Sequence, residues 1–370
     1  MQTLHQIQET FEQYLRLNQF GRPPRELYEP VDYILSLGGK RLRPAVLLMG
    51  HYLFDDSIEK SLPAAFAVEV FHNFTLMHDD ILDEAPLRRG QPTVHEKYNL
   101  GAAILSGDVM LIHAYEYLMR LDSPKLGEVL RVFNQTAIEV CEGQQMDINF
   151  ENRNDVKIEE YLKMIELKTS VLLAAALKIG ALLGGATEKD AHALYEFGRN
   201  LGIAFQLQDD VLDTFGDPEK FGKKTGGDIA QNKKTFLYLK ALEVADEGTK
   251  STLRAYFNDP EVEKETKIKE VVGIFNQHKI KELAEQEKER FQKKALYHLK
   301  EVSASPDRKG ILEKFAAALM QREVWVFSKK KGATTEAVTP HTMKHYIVVG
   351  WGNSIKSRIE RKVVVELGKF

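Results

Sequence analysis

Two acidic triplets embedded in apolar, helix-periodic sequence constrain this chain more than any other feature. The first is Asp79, Asp80 and Asp83 within HNFTLMHDDILDEAPLRRGQPTVH (72–95), and the second is Asp209, Asp210 and Asp213 within FQLQDDVLDTFGD (205–217). In a helix, Asp79 and Asp83 stand at i and i+4 on one face with Asp80 beside them. Like charges at that spacing repel, and carboxylates beside an apolar surface are costly unless paired or bound to cations. All-oxygen ligation suits a hard ion such as Mg²⁺. A solvated acidic helix end would account for one triplet. It does not account for a second with the same spacing, again after an apolar run and again followed by basic residues. Facing each other across a helical bundle, the triplets would hold several Mg²⁺ ions and leave positions open. Mg²⁺ takes few protein ligands and completes its shell with water and phosphate oxygens, so the expected ligand is a phosphate or diphosphate.

Helical periodicity runs through most of the chain. Residues 2–20 place Leu4, Ile7, Phe11 and Leu15 on one face before Gly21 to Pro24 end the segment. A second segment, 27–37, closes on Gly38-Gly39; Pro44 starts a helix over 44–54, and Pro63 opens the one that carries the first triplet. The pattern continues over 100–121, 125–149, 158–183, 188–215, 234–245 and 250–256, then through a highly charged stretch at 260–300 and a final helix at 307–322. Strand-like alternation is missing from this region. The expected class is all-α, a single large helical bundle with a central cavity, spanning 1–324. Residues 325–370 differ: WVFSKKKGATTEAVTP reads as a linker, HYIVVGWG and RKVVVELGKF as short strands, with nine Lys/Arg against three Glu. A C-terminal extension, β-like or disordered, is expected there.

Lys and Arg number 51 against 54 Asp and Glu, a formal net charge of −3, which argues against a general nucleic-acid or membrane-surface binder. The single cysteine, Cys141, allows no internal disulfide, fits a reducing cytosol, and is expected to be a small buried residue. The N-terminus lacks the basic and apolar regions of a signal peptide. The longest apolar stretch, 171–186, is broken by Lys178 and short for a bilayer, so it reads as a buried helix. A soluble, cytoplasmic protein is expected.

The triplets occur with GGKRLRP (38–44), LRRGQPTVH (87–95), GQQMD (143–147), LKTS (167–170) and GKKTGGDIAQNKKT (222–235). This ordered set resembles the trans-isoprenyl diphosphate synthases of the polyprenyl synthetase family, from near the N-terminus to about residue 323. The resemblance implies an isoprenoid-synthase bundle that condenses isopentenyl diphosphate with an allylic diphosphate, head to tail. It implies Asp79, Asp83 and Asp209 as direct ligands of three Mg²⁺ ions, with Asp80, Asp210 and Asp213 in support. Arg88, Lys168 and Lys223 match positions that grip the allylic diphosphate, and Lys233 is a further contact. Gly39, Lys40, Arg43, His72 and Arg89 match the metal-free site for isopentenyl diphosphate. The residues agree with this: Gly38-Gly39 permits close backbone approach, Lys40 and Arg43 concentrate charge, and His72 lies two turns before Asp79 on the same face. A lone histidine on an apolar helix would otherwise be a core residue, and Arg88-Arg89 a solvent-facing basic turn. Thr169, Gln206 and the backbone carbonyl of Lys168 match the family's dipoles facing the carbocation. No side chain reads as a dedicated base, and the released diphosphate is implied to take the proton. Phe205 and Tyr161 read as core aromatics that could also line the cavity. A homodimer is implied.

Product length should follow from the residues just before Asp79, where the growing tail meets bulk. Phe74 lies five positions back, about 7 Å along the axis at 1.5 Å per residue. Thr75, four back, is small and on the aspartate face, and Phe71 is an alternative floor. An aromatic at −5 with a small −4 residue resembles archaeal-type geranylgeranyl synthases, so a C20 product is preferred over C15; farnesyl synthases share the aromatic. A terpene cyclase is disfavoured by the second aspartate triplet and by GGKRLRP. A non-catalytic partner subunit is disfavoured because every motif aspartate and arginine is retained.

Overall fold

Four helices with apolar faces open the chain: α1 (Leu4–Leu17), α2 (Arg25–Ser36), α3 (Leu42–Tyr52) and α4 (Leu62–Leu82). The computed structural model describes residues 3–217, 225–259 and 261–320. Thr3 caps α1 in a reciprocal capping box with Gln6, and Pro63 occupies the first turn of α4, where its missing N–H costs nothing. A two-residue ladder, β1 (Leu87–Arg88) with β2 (Gln91–Pro92), and a short α5 (Val94–Lys97) lead into α6 (Leu100–Met119) and α7 (Leu126–Glu151). Then come α8 (Ile158–Ile165), a π-helical segment (Glu166–Ser170), α9 (Val171–Leu183) and α10 (Glu188–Phe215). The series ends with α11 (Gly227–Ala230), α12 (Phe236–Val244), α13 (Glu247–Asn258), α14 (Lys264–Gln277), α15 (Ile280–Glu301) and α16 (Pro306–Met320).

The all-α expectation holds. Helix α10 packs between α9 and α15, α4 lies along α6, and α3 crosses α9. That last crossing is close because glycines line it: a Cβ at Gly180 would sit 1.8 Å from the Leu47 carbonyl oxygen, and one at Gly50 would sit 2.6 Å from that of Leu177. Phe11, Phe66, Phe71, Phe133, Phe197 and Phe275 are fully buried, each contributing about 1.5–3 kcal/mol of transfer free energy. Helix α9 is buried almost throughout, as a core helix should be, and among the described residues no helix is long and apolar enough to cross a membrane.

The structure departs from the sequence reading in five places. The expected helix over 158–183 changes register through a π-helical segment at Glu166–Ser170. The stretch 260–300 is two helices, because Lys279 adopts φ 54° between α14 and α15. Pro44 sits inside the first turn of α3, which begins at Leu42. The small β ladder was not expected; two residues per strand leave no alternation to read. Cys141 is exposed, since its position on α7 faces away from the buried residues of that helix. The described residues all fall in one compact unit. The expected extension over 325–370 lies outside them, so the boundary at 324 remains an expectation.

Candidate active site

Both triplets stand at the C-terminal ends of their helices, Asp79 to Asp83 closing α4 and Asp209 to Asp213 in the last turns of α10. A helix C-terminus carries negative dipole charge, so carboxylates there raise the demand for a cation beyond their own repulsion. Asp147, near the C-terminal end of α7, adds a third such terminus.

Helix α4 divides its polar groups between two faces. On one, Glu69, Asn73 and Asp80 are buried and paired. Arg88 Nε donates to Asp80 Oδ2 at 2.7 Å and its Nη2 lies 2.7 Å from Oδ1, so Asp80 is engaged in holding the β hairpin. The second face carries His72, Thr75, Asp79 and Asp83, all less buried. Burial raises the Asp79 pKa, opposed by Lys168 and reinforced by Asp83. Asp83 ends the helix and is exposed.

Lys168 connects the acidic elements. Its Nζ donates to Asp147 Oδ2 at 2.7 Å and lies 3.9 Å from Asp79 Oδ1. Burial alone would lower its pKa, but Asp147 and Asp79 outweigh that and raise it. The side chain leaves the π-helical segment, where an extra residue in the turn re-aims the side chains beyond it; such bulges recur at functional sites. Helices α7 and α10 press on this segment through glycines. A Cβ at Gly143 would be 2.3 Å from the Lys168 nitrogen, and one at Gly202 would be 2.7 Å from Ser170 Cα. Thr169 is partly buried in the same segment.

In the second triplet, Asp210 is buried and accepts hydrogen bonds from Tyr161 Oη and from Gln206 Nε2, the latter at 3.2 Å. Burial, with Asp228 adding, pushes its pKa up to about 8. The same burial and the Asp210 charge push the Tyr161 hydroxyl well above its ordinary range. Asp213 Oδ2 accepts from the Asp228 backbone N–H at 3.0 Å, which ties α11 to α10. Burial and Asp213 raise Asp228 to about 6. Lys233 Nζ lies 3.8 Å from Asp228 Oδ1. Asp209 is partly buried on α10; Lys223 lies outside the described residues. Asp147 acts electrostatically on Asp79, Tyr161 and Asp228, so the two acidic walls share one region.

The donor set fits a hard divalent cation: Asp79 and Asp209 are partly buried and Asp83 exposed, all toward helix C-terminal ends. Among the described residues, no three His, Cys, Asp or Glu side chains converge closely enough to hold an ion by themselves. Mg²⁺ ordinarily takes few protein ligands and completes its shell with water and phosphate oxygens.

A separate basic cluster gathers around His72 of α4. Arg43 Nη1 lies 3.1 Å from His72 Nε2; arginine must donate, so His72 is neutral with its proton on Nδ1. Burial, then Arg43 and Arg89, hold the His72 pKa well below its ordinary value. Burial lowers Arg43 to about 10, with Glu69 opposing and Arg89 reinforcing. Arg89 and Gly90, at φ 54° and 77°, form the tight turn of the hairpin, and Arg89 donates through Nη1 to the Gly38 carbonyl. Gly39, at φ 133°, meets the Arg89 guanidinium where a side chain would stand, with a Cβ only 3.0 Å from Nη1. Lys40 is partly buried, its carbonyl accepting from Gln8 Nε2 at 3.0 Å. Mutually repelling cations held together in this way have the chemistry that suits a polyvalent anion.

Along α4 toward its N-terminus, Phe74 packs edge-on to His78 at 4.8 Å and against Phe71 at 5.6 Å. Phe71 is in turn seated on Phe133 at 5.2 Å. Thr75 Oγ1 donates to the His72 carbonyl at 2.8 Å. Two surface clefts of about 180 and 320 Å³ lie elsewhere. In one, Arg22 pairs with His113 at 2.8 Å, and in the other Arg199 pairs with Glu166 at 3.2 Å.

Sequence reasoning assigned no role to Asp147, Glu69, Arg41 or Asp228, and read Tyr161 as a core aromatic that could line the cavity. Asp147 and Arg41 stand inside the motifs GQQMD and GGKRLRP, which was the available signal.

The chain matches the Polyprenyl synthetase family over residues 24–275. It is 44% identical over 250 residues to a short chain isoprenyl diphosphate synthase of Methanocaldococcus jannaschii, covering 67% of this chain and 76% of that one. It is 38% identical over 296 residues to a geranylgeranyl diphosphate synthase of Sulfolobus acidocaldarius, covering 79% and 89%. Among solved structures it resembles a geranylgeranyl pyrophosphate synthase at TM-score 0.83 and 46% identity, over 87% of this chain and 99% of that one. With its bundle, its two aspartate helices and its basic cluster, this chain belongs to the polyprenyl synthetase family.

Proposed function

We propose that this enzyme is a Mg²⁺-dependent prenyltransferase that joins isopentenyl diphosphate head to tail to an allylic diphosphate and makes a C20 product in preference to C15. The observation that supports the reading is the presence of two chemically distinct clusters, carboxylates at the C-terminal ends of α4 and α10 and the Arg43–His72–Arg89 group, which would serve one anion with cations and another without. An allylic and a homoallylic diphosphate require that pair.

Bound Mg²⁺ would stabilise the charge developing on the departing diphosphate oxygens. Asp79, Asp83 and Asp209 would hold three such ions. Asp210 and Asp213 orient the second aspartate helix through Tyr161 and α11. Arg88, fixed by Asp80, together with Lys168 and Lys233 would receive the allylic diphosphate; Lys223 completes the set by resemblance. Gly39, Lys40, Arg43, His72 and Arg89 would receive isopentenyl diphosphate, with His72 Nδ1–H as a neutral donor. Thr169, the Lys168 carbonyl and the Gln206 carbonyl would face the cation. Gln206 Nε2 donates to Asp210 Oδ1, which leaves its carbonyl oxygen for that role.

Phe74, backed by Phe71, sets the floor for the growing chain. A homodimer is supported by the exposed apolar side of α6, where Ile104, Leu105, Ile112 and Met119 face outward. Incubation of the purified protein with Mg²⁺, isopentenyl diphosphate and C5, C10 or C15 allylic partners tests the reading. A C20 diphosphate is the expected product. A hydrocarbon from the allylic substrate alone, or no turnover, contradicts it.

A further inference from the structure

Arg41 stands between two residues assigned to the isopentenyl diphosphate site, yet its side chain runs the other way, into the protein. It is 6% exposed, and Glu69, its partner on α4, is 3% exposed. The guanidinium donates through Nη1 to Glu69 Oε1 and through Nη2 to the Leu35 carbonyl at the end of α2. Its Nε lies 3.5 Å from Glu12 Oε1 on α1. Asn73 Nδ2 holds the other side of the pair, donating to Glu69 Oε1 at 3.0 Å and to the Glu69 carbonyl at 2.8 Å. One side chain thereby joins α1, α2 and α4 at the start of α3. Arg41 does this with φ 47°, a conformation that is costly for a non-glycine residue and persists only where the surroundings enforce it.

The strained residue sits directly after Gly38-Gly39-Lys40 and two residues before Arg43, while Glu69 is three residues before His72 on the same helix. The pair therefore links the two backbone segments that present Lys40, Arg43 and His72. Glu69 also acts favourably on Arg43, and on Arg89 it offsets the repulsion from Arg41 itself, so the pair acts on this cluster through geometry and not through net charge.

We propose that the Arg41–Glu69 pair is a positioning device for the isopentenyl diphosphate site, fixing Lys40, Arg43 and His72 against one another without touching substrate. The proposal rests on the assignment of that site made above. It predicts an effect confined to one substrate, because the allylic site is held by different partners: Asp80 for Arg88, and Asp147 for Lys168.

The test is the double variant Arg41→Met with Glu69→Leu, which removes the pair without leaving a buried charge unpartnered. Exchanging a buried ion pair for apolar groups of similar volume is often neutral or stabilising. In the full-length protein, the KM for isopentenyl diphosphate should rise about tenfold or more, since displacements of about 1 Å cost rates on that scale. The KM for the allylic substrate should stay within about twofold. Direct titration with isopentenyl diphosphate should show the same loss. A folded double variant with unchanged affinity for isopentenyl diphosphate overturns the proposal. Should the double variant fail to fold, Arg41→Lys keeps the charge but loses the fork that reaches Glu69 and Leu35 together. It should raise the same KM severalfold, and an unchanged value overturns the proposal equally. Wild-type protein that binds no isopentenyl diphosphate would instead refute the site assignment itself.

Discussion

Lys168 donates to Asp147 at 2.7 Å, and through that contact a lysine on a π-helical turn is aimed at the first aspartate helix. The ammonium also reaches to 3.9 Å from Asp79, so one cation is shared between the C-terminal ends of α4 and α7. Replacing Lys168 with Met should lower kcat/KM for the allylic diphosphate by about 10²–10³, the scale for losing a preorganised electrostatic group. The KM for isopentenyl diphosphate should hold, since Arg43, His72 and Arg89 are untouched. Steady-state kinetics with each substrate varied in turn provides the check.

Gly143 is required by the same turn. A methyl group there would stand 2.3 Å from the Lys168 backbone nitrogen, so either α7 or the π segment must move. Gly143→Ala should therefore reduce kcat/KM for the allylic substrate by about 10²-fold, through displacement of Lys168 by a fraction of an ångström or more. Comparing this loss with the change in Tm separates misplacement from unfolding: activity should fall while the thermal transition remains cooperative.

Phe74 is partly buried and backed by the fully buried Phe71. Phe74→Ala should lengthen the product by at least one isoprene unit with little loss of stability. Phe71→Ala should instead destabilise the protein by about 3–5 kcal/mol, because it opens a cavity against Phe133. Product chromatography and denaturant titration of the two variants distinguish floor from support.

His72 gives a pH signature. Its pKa is depressed in the folded protein by burial, Arg43 and Arg89. Below about 6.5 the unfolded chain takes up a proton that the folded state refuses, so stability falls as pH drops through that value. The contribution is fully present above it. His72→Gln should remove this part of the acid-side loss, giving a flatter Tm profile than wild type between about pH 7 and about pH 5, measured by calorimetry.

Much of this was legible in the chain itself. The span of α10 matched its reading, because Thr187 caps the start through its side chain and the periodic pattern ends at Phe215. The first aspartate helix was placed by a different signal, Pro63 in its first turn. The π segment could not be read: α7 and α10 approach it closely at Gly143 and Gly202, and such tertiary contacts leave no local pattern in its own five residues. The pairing of Glu69 with Arg41 was equally hidden: an acidic residue within an apolar helix shows that it needs a partner, not which one. Tyr161 shows the same limit, as its hydroxyl finds Asp210 on a helix distant in sequence.

The central claim is that the ends of α4 and α10 act together on one diphosphate through shared cations. A crystal grown with Mn²⁺ and a non-reactive thio-linked allylic diphosphate, measured for anomalous scattering, tests it most directly. The account predicts metal peaks at coordinating distance from Asp79, Asp83 and Asp209, all bridged by the diphosphate and absent when it is omitted. Peaks at only one of the two helices, or a diphosphate bound with no metal between them, would contradict it.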